Sequence, residues 1–507
     1  MRKLLLSLAV AALLAGACGS SSGPTTNYGG SAVAPGHHQP TYPPPQQPAP
    51  TPPAGVTFQD PGTNPWVDPG RDDKSTFGLD VDTASYTIAQ SYVHDGQAPD
   101  PASVRVEEWV NAFAQGYPPP EDGAFAILAD GGPTPFTDED EVLLRIGLQA
   151  RAVANRDREQ ASLTFVIDTS GSMEQGGRLE MVKDALRILI HGLDGNDRVS
   201  IVSFGSDSQV VLGPTAADRT GAILDAIDRL HPGGSTNLEA GLRLGYELAR
   251  KTLTENGIDR IVLASDGVAN VGLTDPNSIL DAIRRDAAAG IELVSVGVGM
   301  GNYNDTLLEQ LADQGDGFYA YINTRDEARK LFSENLTSTL QTVALDAKAQ
   351  VAFDRETVAA YRLVGYENRA IADRDFSSDG VAAGAIGAGH SVTALYALRL
   401  EPGAGPRGHL ARVTVRWTDP DTGRAVDLGR DVALSDLAGS FSATDPHFRL
   451  DALVAQTAEV LRGSEFARRL DIRDVADVAN REDSNLPATD EVHAFLDLLR
   501  DLGRLRD

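Results

Sequence analysis

Continuous runs of apolar residues alternate with amphipathic segments from about residue 160 to residue 340. The runs "SLTFVID", "RVSIVSF", "RIVLASD" and "IELVSVGVG" are rich in valine, isoleucine and leucine. Between them, segments such as "RLEMVKDALRILIHGL", "LEAGLRLGYELARKTL" and "SILDAIRRDAAAG" repeat apolar residues at helical spacing. Strands buried on both faces, each followed by a helix, predict a doubly wound α/β domain with a mainly parallel, Rossmann-like sheet.

The segments on either side of this domain have a different pattern. Before it we predict a strand, a helix that begins near Thr83, a second helix around Val104 to Phe113, and a strand at "EVLLRIGLQA". After about residue 345, alternating apolar and polar positions predict antiparallel β-structure with one solvated face, and the chain ends in helices. Because both flanks have β character, we hypothesise that they pack together as one unit into which the α/β domain is inserted.

A short apolar stretch follows a basic start at the beginning of the chain. Met-Arg-Lys precedes "LLLSLAVAALLAG", which is typical of a secretory signal and too short to span a membrane. The segment Ala15-Gly16-Ala17-Cys18 resembles a bacterial lipobox, with Ala15 where leucine is commoner. This resemblance implies cleavage before Cys18 and a lipid on that cysteine, which would anchor an exported protein to a membrane of the cell envelope. Plain secretion is the alternative.

Composition adds two constraints. The net charge of −28, from 44 basic and 72 acidic residues, makes nucleic acid an unfavourable partner. Cys18 is the only cysteine, so disulfides cannot stabilise the mature protein.

The Ser/Gly- and Pro-rich stretch that follows Cys18 is typical of an extended tether. We predict five parts: signal peptide 1–18, tether 19–64, N-terminal α+β domain 65–155, α/β domain 156–342 and C-terminal β-rich domain 343–507, which ends in helices.

The stretch "LTFVIDTSGSM" raises the question of chemistry, because a buried strand ends there in Asp168 and several hydroxyl residues. It could belong to an aspartic protease, supply oxygen ligands to a hard metal ion, or form a turn. A protease needs two Asp-Thr/Ser-Gly loops whose carboxylates share a proton. The second candidate, Asp421-Thr422-Gly423, lies in "WTDPDTG", which predicts a hairpin turn between two strands. We therefore reject the protease.

Function gathers at the carboxyl ends of the strands in an open parallel sheet. Asp168 lies at one such end, with Ser170 and Ser172 in the following loop. Asp266 ends a later strand, and Thr236 lies in "GGSTN" at the same edge, just before a helix. Two carboxylates and three hydroxyls suit Mg²⁺, with Mn²⁺ or Ca²⁺ as alternatives, and suit zinc or copper poorly. An ion held by only two carboxylates could accept an acidic ligand from outside.

The pattern Asp168-x-Ser170-x-Ser172, with Thr236 and Asp266 in the same order, resembles the metal-ion-dependent adhesion site of von Willebrand factor type A (VWA) domains. The resemblance covers the whole middle segment and all five positions. It implies that the Ser and Thr hydroxyls coordinate the metal directly and that the two Asp residues often act through water. It also implies that a carboxylate from a partner protein completes the shell.

The flanks extend the resemblance. The stretches "STFGLDVDTASY", "VRVEEWVNAF", "YRLVGYENRAI" and "IGAGHSVTALYAL" resemble a bacterial family of lipid-anchored VWA proteins with their own N- and C-terminal domains. We therefore expect a cell-envelope lipoprotein that binds a partner protein through the metal and is not an enzyme. The alternative is a structural lipoprotein in which the metal only stabilises the loops.

Asp80 and Asp82 resemble the aspartate pair of a phosphatase, but we predict instead that Asp82 or Thr83 caps the helix after them.

Overall fold

The computed structural model describes residues 58–79, 81–136, 138, 140–254, 257–267, 279, 290–299, 305–334, 340–378, 383–405 and 408–505. The chain divides into two units, Met1–Thr51 and Pro52–Asp507. The first unit, with the predicted signal peptide, Cys18 and most of the tether, lies outside the described residues. The helix predicted at "SILDAIRRDAAAG" also lies outside them, apart from Ile279 and Gly290.

The described part of the second unit contains three sheets and two groups of helices. The strands are β1 (Lys74–Gly78), β2 (Phe125–Gly132), β3 (Glu141–Ala150), β4 (Ala161–Asp168), β5 (Arg198–Phe204), β6 (Ser208–Ala216), β7 (Ile258–Ser265), β8 (Glu292–Val298), β9 (Tyr319–Ile322), β10 (Thr342–Phe353), β11 (Val358–Val364), β12 (Gly384–Gly387), β13 (Ser391–Leu400), β14 (His409–Asp419) and β15 (Arg424–Ala433). The helices are α1 (Ala84–His94), α2 (Val106–Asn111), α3 (Arg178–Gly192), α4 (Thr220–Asp228), α5 (Leu238–Ala249), α6 (Asp305–Gln314), α7 (Arg325–Arg329), α8 (Pro446–Leu461), α9 (Ile472–Glu482) and α10 (Asp490–Leu505).

The middle of the chain forms a six-stranded sheet in the order β6-β5-β4-β7-β8-β9. Strand β4 is parallel to both β5 and β7, and β8 is parallel to β7 and β9. Successive side chains of β4 enter different cores: Phe165 and Ile167 pack with α3 and α4, whereas Val166 packs with α5 and α6. The predicted doubly wound α/β fold is therefore confirmed.

Strand β6 is an antiparallel edge that the apolar pattern did not predict. It pairs with β5 in a hairpin, from Phe204 opposite Ser208 to Arg198 opposite Ala216. Its residues are partly or fully exposed, and Val210 is among the most exposed large apolar side chains of the described residues. An exposed edge strand lacks the continuous apolar run by which buried parallel strands are detected.

The two flanks share their sheets. Strand β1 pairs with β10, although about 270 residues separate them, in a sheet ordered β1-β10-β14-β15. Strands β2 and β3 pair with β13 and β11 in a second antiparallel sheet, ordered β11-β13-β3-β2. The inner faces form one core, in which the rings of Phe125 and Trp417 meet edge to face with centroids 5.1 Å apart. The hypothesis that the flanks form one unit is thereby confirmed, while the predicted domain boundaries stay predictions.

A helical layer covers the outer face of the second sheet. Residues from α1, α2, α8, α9 and α10 pack against side chains of β3, β11 and β13, namely Leu143, Val364, Leu395 and Ala397. Trp109, Phe448 and Phe495 are fully buried within this layer. The C-terminal helices therefore complete the core of the flanking unit.

The α/β domain enters and leaves this unit at neighbouring points. Its first strand, β4, follows β3 in the chain, and β10 is the first strand after its last strand, β9. Near the entry, the Glu159 amide donates a hydrogen bond of 3.2 Å to the Gln341 side chain next to the exit. Adjacent chain ends are typical of a domain that is inserted into a loop of another.

The helix cap predicted at Asp82 or Thr83 is wrong. Thr83 precedes α1 but makes no side-chain capping bond, and Glu108 of α2 accepts the Ser85 amide at 2.8 Å instead. The Asp82 carboxylate accepts the Tyr319 amide of β9 at 2.9 Å. A local capping rule cannot anticipate a carboxylate that arrives from another helix.

Among the described residues, no helix combines the length and the apolar character that crossing a bilayer requires.

Candidate metal centre

The five predicted ligand residues lie on three loops at one edge of the α/β sheet. Asp168 is the last residue of β4, and Ser170 and Ser172 follow it in a turn. Asp266 comes directly after β7, and Thr236 lies two residues before α5. All of them except Ser172, which is partly exposed, are buried. Ser172 therefore marks the side on which the site meets solvent.

Asp168 is held by neutral hydrogen-bond donors. One carboxylate oxygen accepts the Ser170 amide at 2.8 Å, and the other accepts the Ser265 hydroxyl at 2.6 Å. Burial raises the pKa of Asp168 to about 6, and the nearby Asp266 charge also raises it, while the bonds from Ser265 and Ser170 lower it. The buried site and the Asp266 charge thus both disfavour the ionised form of Asp168.

The serine hydroxyls lie side by side. The Oγ atoms of Ser170 and Ser172 are 3.0 Å apart, within hydrogen-bond distance of each other. This loop continues as a short 3₁₀ segment, Gly171–Gly177, before α3 begins. Paired hydroxyl oxygens next to a carboxylate are the oxygen-rich arrangement that a small hard cation requires.

Backbone bonds join the Thr236 loop to the first loop. The Gly171 amide donates to the Gly234 carbonyl at 3.0 Å, and the Gly233 amide donates to the Thr169 carbonyl at 2.7 Å. Gly234 has a φ of +87°, and a β-carbon there would lie 2.7 Å from the Ser206 hydroxyl. The glycines of "GGSTN" therefore allow the approach of the two loops and bring the buried Thr236 to the site edge.

The two carboxylate oxygens of Asp266 differ in their hydrogen bonding. Its Oδ2 accepts a hydrogen bond of 2.8 Å from Arg178, whose guanidinium also lies 3.3 Å from the Ser172 carbonyl. Its Oδ1 is buried and has no hydrogen-bond partner among the described residues. A buried carboxylate oxygen without a partner is unfavourable unless a further group binds it.

Sequence reasoning missed Arg178 and Ser265. Ser265 was visible in "LASDG", directly before Asp266, and its hydroxyl also accepts the Gly267 amide at 3.1 Å. Arg178 is the first residue of α3, a position where a positive charge is unfavourable next to the helix dipole. That unfavourable position is the one signal that could have indicated a nearby carboxylate.

The residues present fit a divalent metal with oxygen ligands. No group of three or more His, Cys, Asp or Glu side chains that could hold a metal is found among the described residues. A set of hard oxygen ligands is formed by the buried carboxylates of Asp168 and Asp266 and by the paired serine hydroxyls. One oxygen of Asp266 has no hydrogen-bond partner among the described residues. Asp168, Ser170, Ser172, Thr236 and Asp266 would hold the ion, which would attract an anionic ligand.

Three segments of the chain match known protein families. Residues 163–268 match the von Willebrand factor type A domain, residues 53–145 match a model described as von Willebrand factor, and residues 338–505 match the C-terminal region of the uncharacterized protein YfbK. The fold and the loop residues define this chain as a VWA-domain protein. Domains of this class typically mediate protein interactions and often bind a divalent metal.

The particular family follows from a likeness that covers most of the chain. The chain is 34% identical over 441 residues to YfbK of Escherichia coli (strain K12), which covers 82% of this chain and 75% of that protein. The chain belongs to the YfbK family. It is also 32% identical over 191 residues to the protein sll0103 of Synechocystis sp., of which it spans 44%.

Among solved structures, a von Willebrand factor type A protein from Catenulispora acidiphila aligns with 76% of this chain and 89% of its own. The sequence identity is 17% and the TM-score is 0.45. The fold assignment therefore depends on the strand order and the family matches.

Proposed function

We propose that this protein binds a partner protein at the cell envelope through a divalent metal held at the metal centre. Mg²⁺ is the first choice, with Mn²⁺ or Ca²⁺ as alternatives, and an acidic residue of the partner would complete the coordination shell. The observation that carries the proposal is the buried Asp266 oxygen without a partner, beside two serine hydroxyls that are 3.0 Å apart.

The same residues favour binding over catalysis. The five candidate ligands include no His or Cys that could act as a general base or a nucleophile near neutral pH. Ser170 and Ser172 bond each other, and the Ser170 amide bonds the Asp168 carboxylate. These hydroxyls are therefore better placed as ligands than as nucleophiles.

Calorimetric titration with Mn²⁺ tests the metal site. Removing a ligand hydroxyl should weaken binding by at least about tenfold, as the loss of even supporting groups does at metal sites. Ser170→Ala and Thr236→Ala each remove one hydroxyl. Ser235→Ala is the matched control, because Ser235 neighbours Thr236 in the same loop but bonds Ser206. Equal Mn²⁺ affinity in all four proteins, or no binding by the wild type, would overturn the proposal.

Affinity capture tests the partner. Solubilised envelope proteins are passed over immobilised wild-type protein and Thr236→Ala, each with Mg²⁺ and with EDTA. The proposal expects a partner that is retained only by the wild type with Mg²⁺ and is lost when one of its own acidic residues is neutralised. Mn²⁺ binding together with EDTA-insensitive capture would instead support the structural role, in which the metal only stabilises the loops.

We also propose that a lipid on Cys18 anchors the protein to the envelope membrane, which rests on the sequence of the first 18 residues. Cells grown with labelled palmitate should incorporate the label into the wild type but not into Cys18→Ser. Treatment with globomycin should leave the signal segment attached. An unlabelled mature wild type would contradict the anchor.

A further inference from the structure

We propose that Arg178 is a built-in counter-ion of the metal centre: it stabilises the metal-free site, weakens metal binding, and leaves the loaded site with a positive charge that selects an anionic ligand. This inference rests on the proposed function. It assigns to Arg178 a role in positioning and specificity rather than in coordination.

The guanidinium is fixed at the site from several sides. It donates to the Asp266 carboxylate at 2.8 Å and lies 3.3 Å from the Ser172 carbonyl, and only 6% of the side chain is exposed. A β-carbon on Gly299, directly after β8, would lie 2.3 Å from the Arg178 Nε, so the glycine makes room for the arginine. Gly299 also has a φ of +74°, which favours glycine.

The position of Arg178 in its helix argues for a role at the site. A cation in the first turn of a helix is disfavoured by the helix dipole, and burial of its charge adds to that penalty. The arginine nevertheless begins α3, where it faces a buried carboxylate. A neutral residue would begin the helix more favourably, and the Asp266 contact accounts for the arginine.

The charges give the functional consequence. Asp168 and Asp266 with Arg178 carry one net negative charge when both carboxylates are ionised, and a bound divalent ion changes this to one net positive charge. Without Arg178 the loaded site would be neutral. A positive loaded site binds a carboxylate of a partner more strongly than an uncharged carbonyl or amide, because buried charges interact through a low effective dielectric.

The test compares the full mature wild type with Arg178→Gln in calorimetric titrations with Mn²⁺ at neutral pH. Removing the cation should tighten Mn²⁺ binding by about tenfold, since two positive charges no longer share the site. Thermal unfolding in EDTA should occur about 3 °C lower, because Asp266 loses its counter-ion. Arg178→Lys keeps the charge and should bind Mn²⁺ like the wild type.

Arg187→Gln is the matched control. It removes the same charge from the same helix about 13 Å further along, where Arg187 pairs with Asp184 and Asp228. Its Mn²⁺ affinity should equal that of the wild type. If Arg178→Gln does not fold, Arg178→Met keeps the aliphatic stem beside Gly299 and replaces it in the comparison.

Acetate and acetamide provide the selectivity test. Each is titrated into Mn²⁺-loaded protein while the water-proton relaxation rate reports on ligands that displace water from the ion. Acetate should displace water more readily than acetamide in the wild type, and this preference should fall in Arg178→Gln. An unchanged preference would overturn the selectivity role.

The remaining outcomes are distinguishable. Unchanged Mn²⁺ affinity in Arg178→Gln, with lower stability in EDTA, would make Arg178 purely structural. Weaker Mn²⁺ binding would show that it orients Asp266 for the ion, and either result overturns the inference. A wild type that binds no Mn²⁺ would overturn the proposed function itself.

Discussion

Two regions of this molecule bury several charged side chains, and they treat those charges differently. The ion cluster (Asp82, Arg105, Glu108, Glu309 and Arg369) lies where α6 of the VWA domain meets the flanking unit. Arg105 binds Glu108 at 3.3 Å and Glu309 at 2.9 Å, and Arg369 binds Glu309 at 3.3 Å and Asp82 at 3.1 Å. Each of its three carboxylates thus contacts an arginine.

The metal centre pairs its carboxylates incompletely. Asp168 accepts hydrogen bonds from neutral groups, and Asp266 has one oxygen on Arg178 and one without a partner. Because each carboxylate of the ion cluster contacts an arginine, the cluster holds its elements together, whereas a buried carboxylate oxygen without a partner prepares a site for a cation. The two regions thus differ in how completely their carboxylates are paired rather than in burial.

The largest effect should come from breaking the ion cluster. Glu309→Gln leaves Arg105 and Arg369 facing each other without their shared carboxylate, and the free energy of unfolding should fall by about 3–5 kcal/mol. Urea unfolding in EDTA measures this. Glu247→Gln, which removes an exposed partner of Lys251, should leave the unfolding midpoint unchanged. A Glu309→Gln protein as stable as the wild type would contradict the structural role of the cluster.

The second prediction compares Mn²⁺ binding by a variant of the metal centre with Mn²⁺ binding by a variant of the ion cluster. Asp266→Asn should weaken Mn²⁺ binding by about 100-fold, or about 2.7 kcal/mol, because the ion loses one of its two carboxylates. Glu309→Gln should bind Mn²⁺ with wild-type affinity, provided that it is measured at a temperature where it is folded. If both variants lost metal binding equally, the distinction between a structural and a metal-binding cluster would fail.

The smallest effect concerns His390, a half-buried residue beside Arg260 rather than beside a carboxylate. Burial, and next the Arg260 charge, lower the pKa of His390 to about 4. Since the unfolded state takes up the proton at higher pH, the protein should lose stability as the pH falls from about 6.5 to 4, by about 2.5 kcal/mol. His390→Gln should remove this part of the pH dependence in urea unfolding. The exposed His409→Gln should retain it.

Local patterns predicted much of the fold. Strand β3 runs over the predicted "EVLLRIGLQA", and the hairpin predicted around Asp421 joins β14 to β15. Both succeed because the signal lies within a few residues: a period of two in a strand, and turn residues between strands. Strands β2 and β6 were not predicted, because their continuous apolar runs are short, whereas long runs mark a fully buried strand.

The candidate site was predicted in part for a similar reason. Asp168, Ser170 and Ser172 are neighbours in sequence, and Thr236 and Asp266 follow from the rule that function gathers at the carboxyl ends of parallel strands. Arg178 was not predicted, since its partner Asp266 is 88 residues away. Glu108 was missed as the group that binds the N-terminus of α1, because it comes from a different helix.

The sequence by itself determined the alternation of strands and helices, the oxygen-rich residues at the strand ends and the acidic surface, because these depend on residue type and short spacing. Only the tertiary structure decided that the flanks form one unit, that Arg178 meets Asp266, and which buried carboxylates are paired. Those features depend on contacts between residues that are far apart in the chain, and the free energy of such contacts exists only once the sheets and helices have packed.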